Sequence, residues 1–114
     1  MNRRTLLTGL GVTLAGCKPE YVHLPVVTLP PVAGLTSSAG WAFPGVSTET
    51  LGSRPLVINF WATWCPYCRD EHAALADFAR DTRMLLVGVA VKDTEAQVAA
   101  YLAAHGNPYA AVSV

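Results

Sequence analysis

The order of apolar and amphipathic stretches predicts an α/β fold built on a parallel sheet, and three observations carry that prediction. First, Leu56–Val57–Ile58–Asn59–Phe60 is a short apolar run rich in strand formers, as expected of a buried strand. Second, Cys68, His72, Leu75 and Phe78/Ala79 recur at the three-to-four-residue spacing of one helix face,. Third, Met84–Leu85–Leu86–Val87–Gly88–Val89–Ala90–Val91 is a second apolar run without strict alternation, the pattern of a parallel strand covered on both sides. Strand, helix and strand in this order and at this length imply a right-handed parallel crossover.

The remaining elements follow from local signals. Asp70, Glu71, Asp77 and Arg80 lie off the apolar face of the first helix and can face water,. Thr94–Glu95–Ala96–Gln97 matches a capping box, with Thr94 as N-cap and Gln97 reaching back,. The helix it opens has Val98, Tyr101, Leu102 and His105 on its inner face. Gly106 suits the C-terminal cap, and Pro108 bars continuation,. Tyr109 to Val114 reads as the start of another strand. Upstream, Gly34, Gly40, Pro44, Gly45 and Gly52 punctuate short strands with turns,. Trp41 and Phe43 are expected to cover one end of the core, with Phe60 and Trp61 inside it. Asn59 is expected to satisfy backbone groups, and Arg69 to be a surface charge.

With 114 residues the chain is expected to hold one domain,. A hydrophobic fraction of 52% against 14% charged residues excludes a disordered chain,. Lys plus Arg and Asp plus Glu number 8 each, which gives no reason to expect a nucleic-acid partner,. The cysteines are Cys17, Cys65 and Cys68, too few for a disulfide-stapled scaffold,.

Residues 1–16 read as an export signal: basic at Arg3 and Arg4, apolar from Leu6 to Leu14, then small,. The apolar stretch is about half the ~20 residues a membrane span needs. Leu14–Ala15–Gly16–Cys17 resembles a bacterial lipoprotein box, which would make Cys17 the first mature residue and a lipid anchor. An ordinary signal peptide with a chance cysteine is the alternative, and the arginine pair leaves twin-arginine export open. Residues 17–34 carry Pro19, Pro25, Pro30 and Pro31 and read as an anchor and stiff tether,. In a second reading, Val26–Leu29 adds an edge strand. The folded domain is expected over residues 35–114.

The chemistry is expected at Cys65–Pro66–Tyr67–Cys68. Two residues between cysteines at a helix start suit a reversible disulfide. The first thiol would face unsatisfied backbone N–H groups and the positive end of the helix dipole, which favour the nucleophilic thiolate. Cys65 is thus the expected attacking thiol. Cys68, one turn further in, is the expected resolving thiol. Pro66 fixes the backbone at the helix start, and Trp64 shields the pair and offers an apolar docking surface. Tyr67 either tunes the pair or fills a tolerant position. A zinc half-site is the competing reading. Structural zinc takes four ligands, however, and there is no second cysteine pair, while His23, His72 and His105 are scattered,. No metal and no cofactor beyond the Cys65–Cys68 disulfide is expected.

The run Val57–Ile58–Asn59–Phe60–Trp61–Ala62–Thr63–Trp64–Cys65–Pro66–Tyr67–Cys68–Arg69 resembles the TlpA-like thioredoxins of bacterial envelopes. Cys68–Arg69–Asp70–Glu71–His72, Val91–Lys92–Asp93 and Gly106–Asn107–Pro108–Tyr109 are similar to segments of the cytochrome c maturation thioredoxins (CcmG/DsbE type). Leu29–Pro30–Pro31, Gly34–Leu35 and Pro44–Gly45 are similar to that group's N-terminal region. The resemblance covers residues 29–114. It implies a thioredoxin-like fold, a central mixed sheet flanked by helices, without the cis-proline loop, final hairpin and last helix that normally follow. It also implies a reductant on the periplasmic face of the cell envelope. A membrane thiol transporter would supply its electrons, and apocytochrome c or another envelope thiol protein would accept them. Glu71 matches an acidic residue that tunes the thiols in that group; a solvated helix residue is the plain alternative. A general TlpA-like reductase and a non-catalytic truncated product are the other readings.

Overall fold

A computed structural model describes residue 16 and residues 25–52, 54–81 and 83–114. The export signal of residues 1–16, apart from Gly16, the anchor Cys17 and the tether as far as residue 24 lie outside the described residues. The elements run β1 (Leu56–Trp61), α1 (Pro66–Phe78), β2 (Leu85–Ala90), α2 (Glu95–His105) and β3 (Ala111–Ser113). The strands form one sheet in the order β1-β2-β3, parallel throughout, with Ile58 beside Val87 and Gly88 beside Val112.

Two crossovers of one hand, moving in one direction across the sheet, leave both helices on the same face. That face holds the main core. Trp61 of β1, Leu86 and Ala90 of β2 and Val112 of β3 meet Val98 and Leu102 of α2, together with Tyr109. Cys68, Leu75 and Phe78 of α1 and its C-cap Ala79 pack against this cluster from the side, half-buried as their spacing predicted. The ion pairs Arg80–Asp77 and Arg83–Asp81 are exposed. Such pairs contribute ~0–1 kcal/mol each, so apolar burial holds the fold.

The N-terminal stretch covers the opposite face only in part and also reaches into the main core, and here the structure departs from the expected tether. Thr28 bridges Ser47 in antiparallel fashion, and Leu29 N–H donates to Val46 O at 2.8 Å. Val32 and Leu35 are buried in the main core, and Leu29 packs on a second cluster of Val46, Val87 and Ala111. Prolines made this segment extended, as expected, but an extended segment with alternating apolar residues also fits a sheet face. The stretch from Val27 to Leu35 is therefore paired and packed with the rest of the fold. Val26–Leu29 does not join the β1-β2-β3 sheet as an edge strand either: its pairing is the isolated bridge of Thr28 to Ser47.

Three further expectations are corrected. Phe60 is 65% exposed, whereas its neighbour Trp61 is buried. Successive strand residues face opposite sides, and Ile58 and Phe60 point away from the helices. There they line, with Val27, Leu29, Val46 and Val89, an apolar groove of about 410 Å³. Trp41 is 76% exposed, within the turn that the Thr36–Ala42 bridge closes; of the expected pair only Phe43 packs on the core. The Asn59 side chain bonds another side chain among the described residues: its Nδ2 donates to the Tyr109 hydroxyl at 2.9 Å.

That last contact carries a pH dependence. Burial pushes the Tyr109 phenol up from 10.0 to about 12, against a smaller opposing effect of the Asn59 hydrogen bond. The folded chain thus keeps a proton that the unfolded chain loses above pH ~10. Stability from this group is complete below that pH and falls as pH rises towards 12, by about 1–2 kcal/mol once partial solvent screening is allowed for. Urea midpoints of the parent chain should drop across that window more than those of Tyr109→Phe. Parallel drops in both would place the alkaline sensitivity elsewhere.

Candidate redox site

β1 delivers the chain to the site. After Trp61 it turns through Ala62, Thr63 and Trp64, and the Cys65 N–H donates back to Ala62 O at 3.3 Å. Cys65 is the N-cap of α1, with extended backbone at φ −87° and ψ 113°, and Pro66 opens the helix. Proline suits that place because its missing N–H is one that a helix start leaves unused. The Arg69 N–H donates to Cys65 O at 3.2 Å, the first hydrogen bond of the helix.

Both cysteines are half-buried and free. The Cys65 side chain makes no cap hydrogen bond of full geometry, yet its thiol is held below the ordinary value of 9.0. The largest cause is the Cys68 side chain, followed by the backbone N–H of Cys68, with that of Tyr67 adding less. Cys68 moves the other way. Burial raises its thiol most, and its contact with Cys65 adds to the rise. One sulfur is thus biased towards thiolate and the other towards thiol, which is the asymmetry a dithiol exchange pair needs.

The supporting residues divide. Trp64 is 60% exposed, with its indole Nε1–H donating to Lys92 O at 3.0 Å, and Tyr67 is 80% exposed. Trp64 therefore flanks the pair without burying it. Glu71 is exposed and raises both thiols, but it is the smallest of the influences on each.

Four residues bear on the site that the sequence reading gave no role there. Asp93, in the turn after β2, accepts the Thr63 N–H at 2.6 Å and the Thr63 hydroxyl at 3.1 Å. Lys92 next to it has φ 50°, a left-handed backbone unusual for a residue with a side chain,. Arg69 is more than a surface charge: its Nε donates to Thr63 O at 2.7 Å, and its guanidinium stands 5.8 Å above the Tyr101 ring. His72 packs edge-on to the same ring, and its Nε2–H donates to Gly106 O at 2.9 Å, tying α1 to the end of α2. The resemblance had marked Val91–Lys92–Asp93 and Cys68–Arg69–Asp70–Glu71–His72 as segments without giving these four residues a role, and the local signal is Asp93 standing directly before the Thr94 N-cap. Nothing local announces that its carboxylate reaches a residue thirty positions earlier.

The redoxin family model matches residues 43–113, well over half of the chain and the whole of this site. The chain belongs to the redoxin family. Among curated relatives, this redoxin is 43% identical over 53 residues to the thiol:disulfide interchange protein DsbE of Allochromatium vinosum, covering 46% of this chain and 29% of that protein. It is 36% identical over 91 residues to the thiol:disulfide interchange protein HelX of Rhodobacter capsulatus, covering 69% of this chain and 51% of that protein. Among solved structures, a thioredoxin-family thiol:disulfide interchange protein from Chlorobium tepidum TLS aligns with TM-score 0.57 at 26% identity. The alignment covers 79% of the redoxin and 57% of that chain. The fold is thioredoxin-like, and the resemblance to DsbE-type proteins read from the sequence stands. The redoxin spans about half, or less, of the length of the curated relatives it matches. No helix among the described residues is long and apolar enough to cross a membrane.

Proposed function

We propose that the chain is a thiol–disulfide oxidoreductase that reduces disulfides of cell-envelope proteins through Cys65 and Cys68. The observation that carries this reading is the opposed bias of the two thiols at the start of α1, Cys65 lowered and Cys68 raised. The names of its relatives, thiol:disulfide interchange proteins, support it. In the reaction the Cys65 thiolate attacks one sulfur of a substrate disulfide. The substrate S–S bond breaks, and its other sulfur leaves as thiolate and takes a proton. Cys68 then loses its proton and attacks the Cys65 sulfur of the mixed disulfide. A Cys65–Cys68 disulfide forms, the second substrate thiol is released, and two electrons have passed to the substrate. The dithiol carries those electrons itself, so no further cofactor enters.

Within this reading the substrate is apocytochrome c or a related envelope thiol protein, and a membrane thiol transporter returns the electrons. The export signal and the lipid on Cys17 complete the proposal by placing the domain at the periplasmic face of a membrane. Reduction of insulin or apocytochrome c disulfides by the chain, with near-UV circular dichroism on the same sample, tests it. Turnover with a fixed tertiary signal is the expected result. A folded chain that leaves both substrates oxidised would refute the assignment.

A further inference from the structure

We infer that Asp93 is a positioning residue for Cys65, holding the loop before α1 so that the Cys65 sulfur stays against the helix N-terminus. The inference rests on the reading of Cys65 as the attacking thiol. Asp93 satisfies three donors with two oxygens. Oδ2 accepts the Thr63 N–H at 2.6 Å, while Oδ1 accepts the Thr63 hydroxyl at 3.1 Å and the Thr94 N–H at 2.9 Å. Thr63 is 7% exposed and stands two residues before Cys65. Its carbonyl, in turn, accepts from Arg69 at 2.7 Å. The strand-to-helix loop is therefore gripped from the β2–α2 turn on one side and from the first turn of α1 on the other. Hydrogen bonds to an ionised carboxylate are about twice as strong as neutral ones, and those to Thr63 lie in a partly buried place.

The turn that presents Asp93 is itself unusual. Lys92 sits at φ 50°, which costs a residue with a Cβ about 1–2 kcal/mol. The same turn directs Lys92 O to the Trp64 indole at 3.0 Å. Two consecutive residues of the turn thus hold two consecutive residues of the loop, Thr63 and Trp64. Asp93 is not among the groups that act on the Cys65 thiol directly; the ones that lower it are Cys68 and the Tyr67 N–H. The influence assigned to Asp93 runs through geometry, by keeping the sulfur where those groups reach it.

Asp93→Asn in the full chain separates this role from a purely structural or purely electrostatic one. An amide has one acceptor oxygen, so it cannot serve both the Thr63 N–H and the Thr94 N–H, and its NH₂ would face a donor. The readout is the pH profile of iodoacetamide labelling at Cys65, resolved by peptide mass spectrometry, beside near-UV circular dichroism. Positioning predicts a labelling midpoint that rises towards the ordinary 9.0. It also predicts that labelling at pH 7 slows by about three- to ten-fold while the tertiary signal persists. Loss of a nearby negative charge acting through space would lower the midpoint instead. An unchanged or lowered midpoint overturns the inference. Thr63→Val removes only the hydroxyl bond and should raise the midpoint by less; it provides the same test if Asp93→Asn does not fold. A chain whose Cys65 midpoint behaves in this way but reduces no disulfide would refute the proposed function and leave the positioning role intact.

Discussion

Cys65→Ser is expected to remove disulfide exchange, and Cys68→Ser to halt it halfway. A serine hydroxyl cannot form the S–S bond of the first step, and Cys68 has its thiol raised by burial, so it is a poor substitute nucleophile. The rate should fall on the order of a thousand-fold or more, as when a covalent nucleophile is removed elsewhere. In Cys68→Ser the first step remains possible, but nothing inside the molecule resolves the mixed disulfide. A covalent adduct on Cys65 should then accumulate and be visible by mass spectrometry and non-reducing electrophoresis. The same substitution replaces the thiol side chain that contributes most to lowering Cys65. Trapping should thus be slower at neutral pH than the first step in the parent and should recover as pH rises. A Cys68→Ser chain that forms no adduct with any disulfide substrate would remove Cys65 from the attacking role.

Gly45→Ala should cost about 3 kcal/mol or more, the upper range of overpacking. A Cβ at Gly45 would run into backbone, within 2.6 Å of Pro30 C and Pro31 N and against Leu29 O. Backbone cannot swing aside as a flexible side chain does, so the segment 29–31 and the strand-like stretch around Val46 would have to part. Their parting would loosen the Leu29–Val46 hydrogen bond and the apolar contacts beneath it. Urea unfolding should show the loss as a shifted midpoint. Gly34→Ala is an informative control: a Cβ there meets no atom within 4 Å, but φ is +79°, so only the smaller cost of left-handed backbone, about 1–2 kcal/mol, applies. Equal effects at the two positions would show that segment 29–31 does not press on Gly45.

The elements that carry long periodic signals were legible in the sequence. The face Cys68, His72, Leu75 and Phe78, with the C-cap Ala79, is the half-buried face of α1. Thr94 is the N-cap of α2 and accepts the Gln97 N–H at 3.2 Å, although the Gln97 side chain accepts the Thr94 hydroxyl rather than reaching the backbone. That backbone N–H is taken by Asp93. Phe60 and Trp41 were misread for one reason: apolar character says that a residue gains from burial, not that a neighbouring layer covers it. The described chain puts both helices on one side of the sheet. Phe60 is on the other side, at the rim of a groove that the N-terminal stretch only partly fills.

What the sequence determined by itself was local and additive. Two apolar runs around an amphipathic helix specified a parallel crossover. The cysteine spacing at that helix's start placed Cys65 at its N-cap and Cys68 within its first turn. Only the tertiary structure decided how that start is held. The carboxylate of Asp93 and the carbonyl of Lys92 reach the loop of Thr63 and Trp64 because parallel pairing of β1 with β2 brings the C-terminal ends of both strands to the same edge. Contacts of that kind depend on strand register rather than on spacing along the chain, so no periodicity reports them.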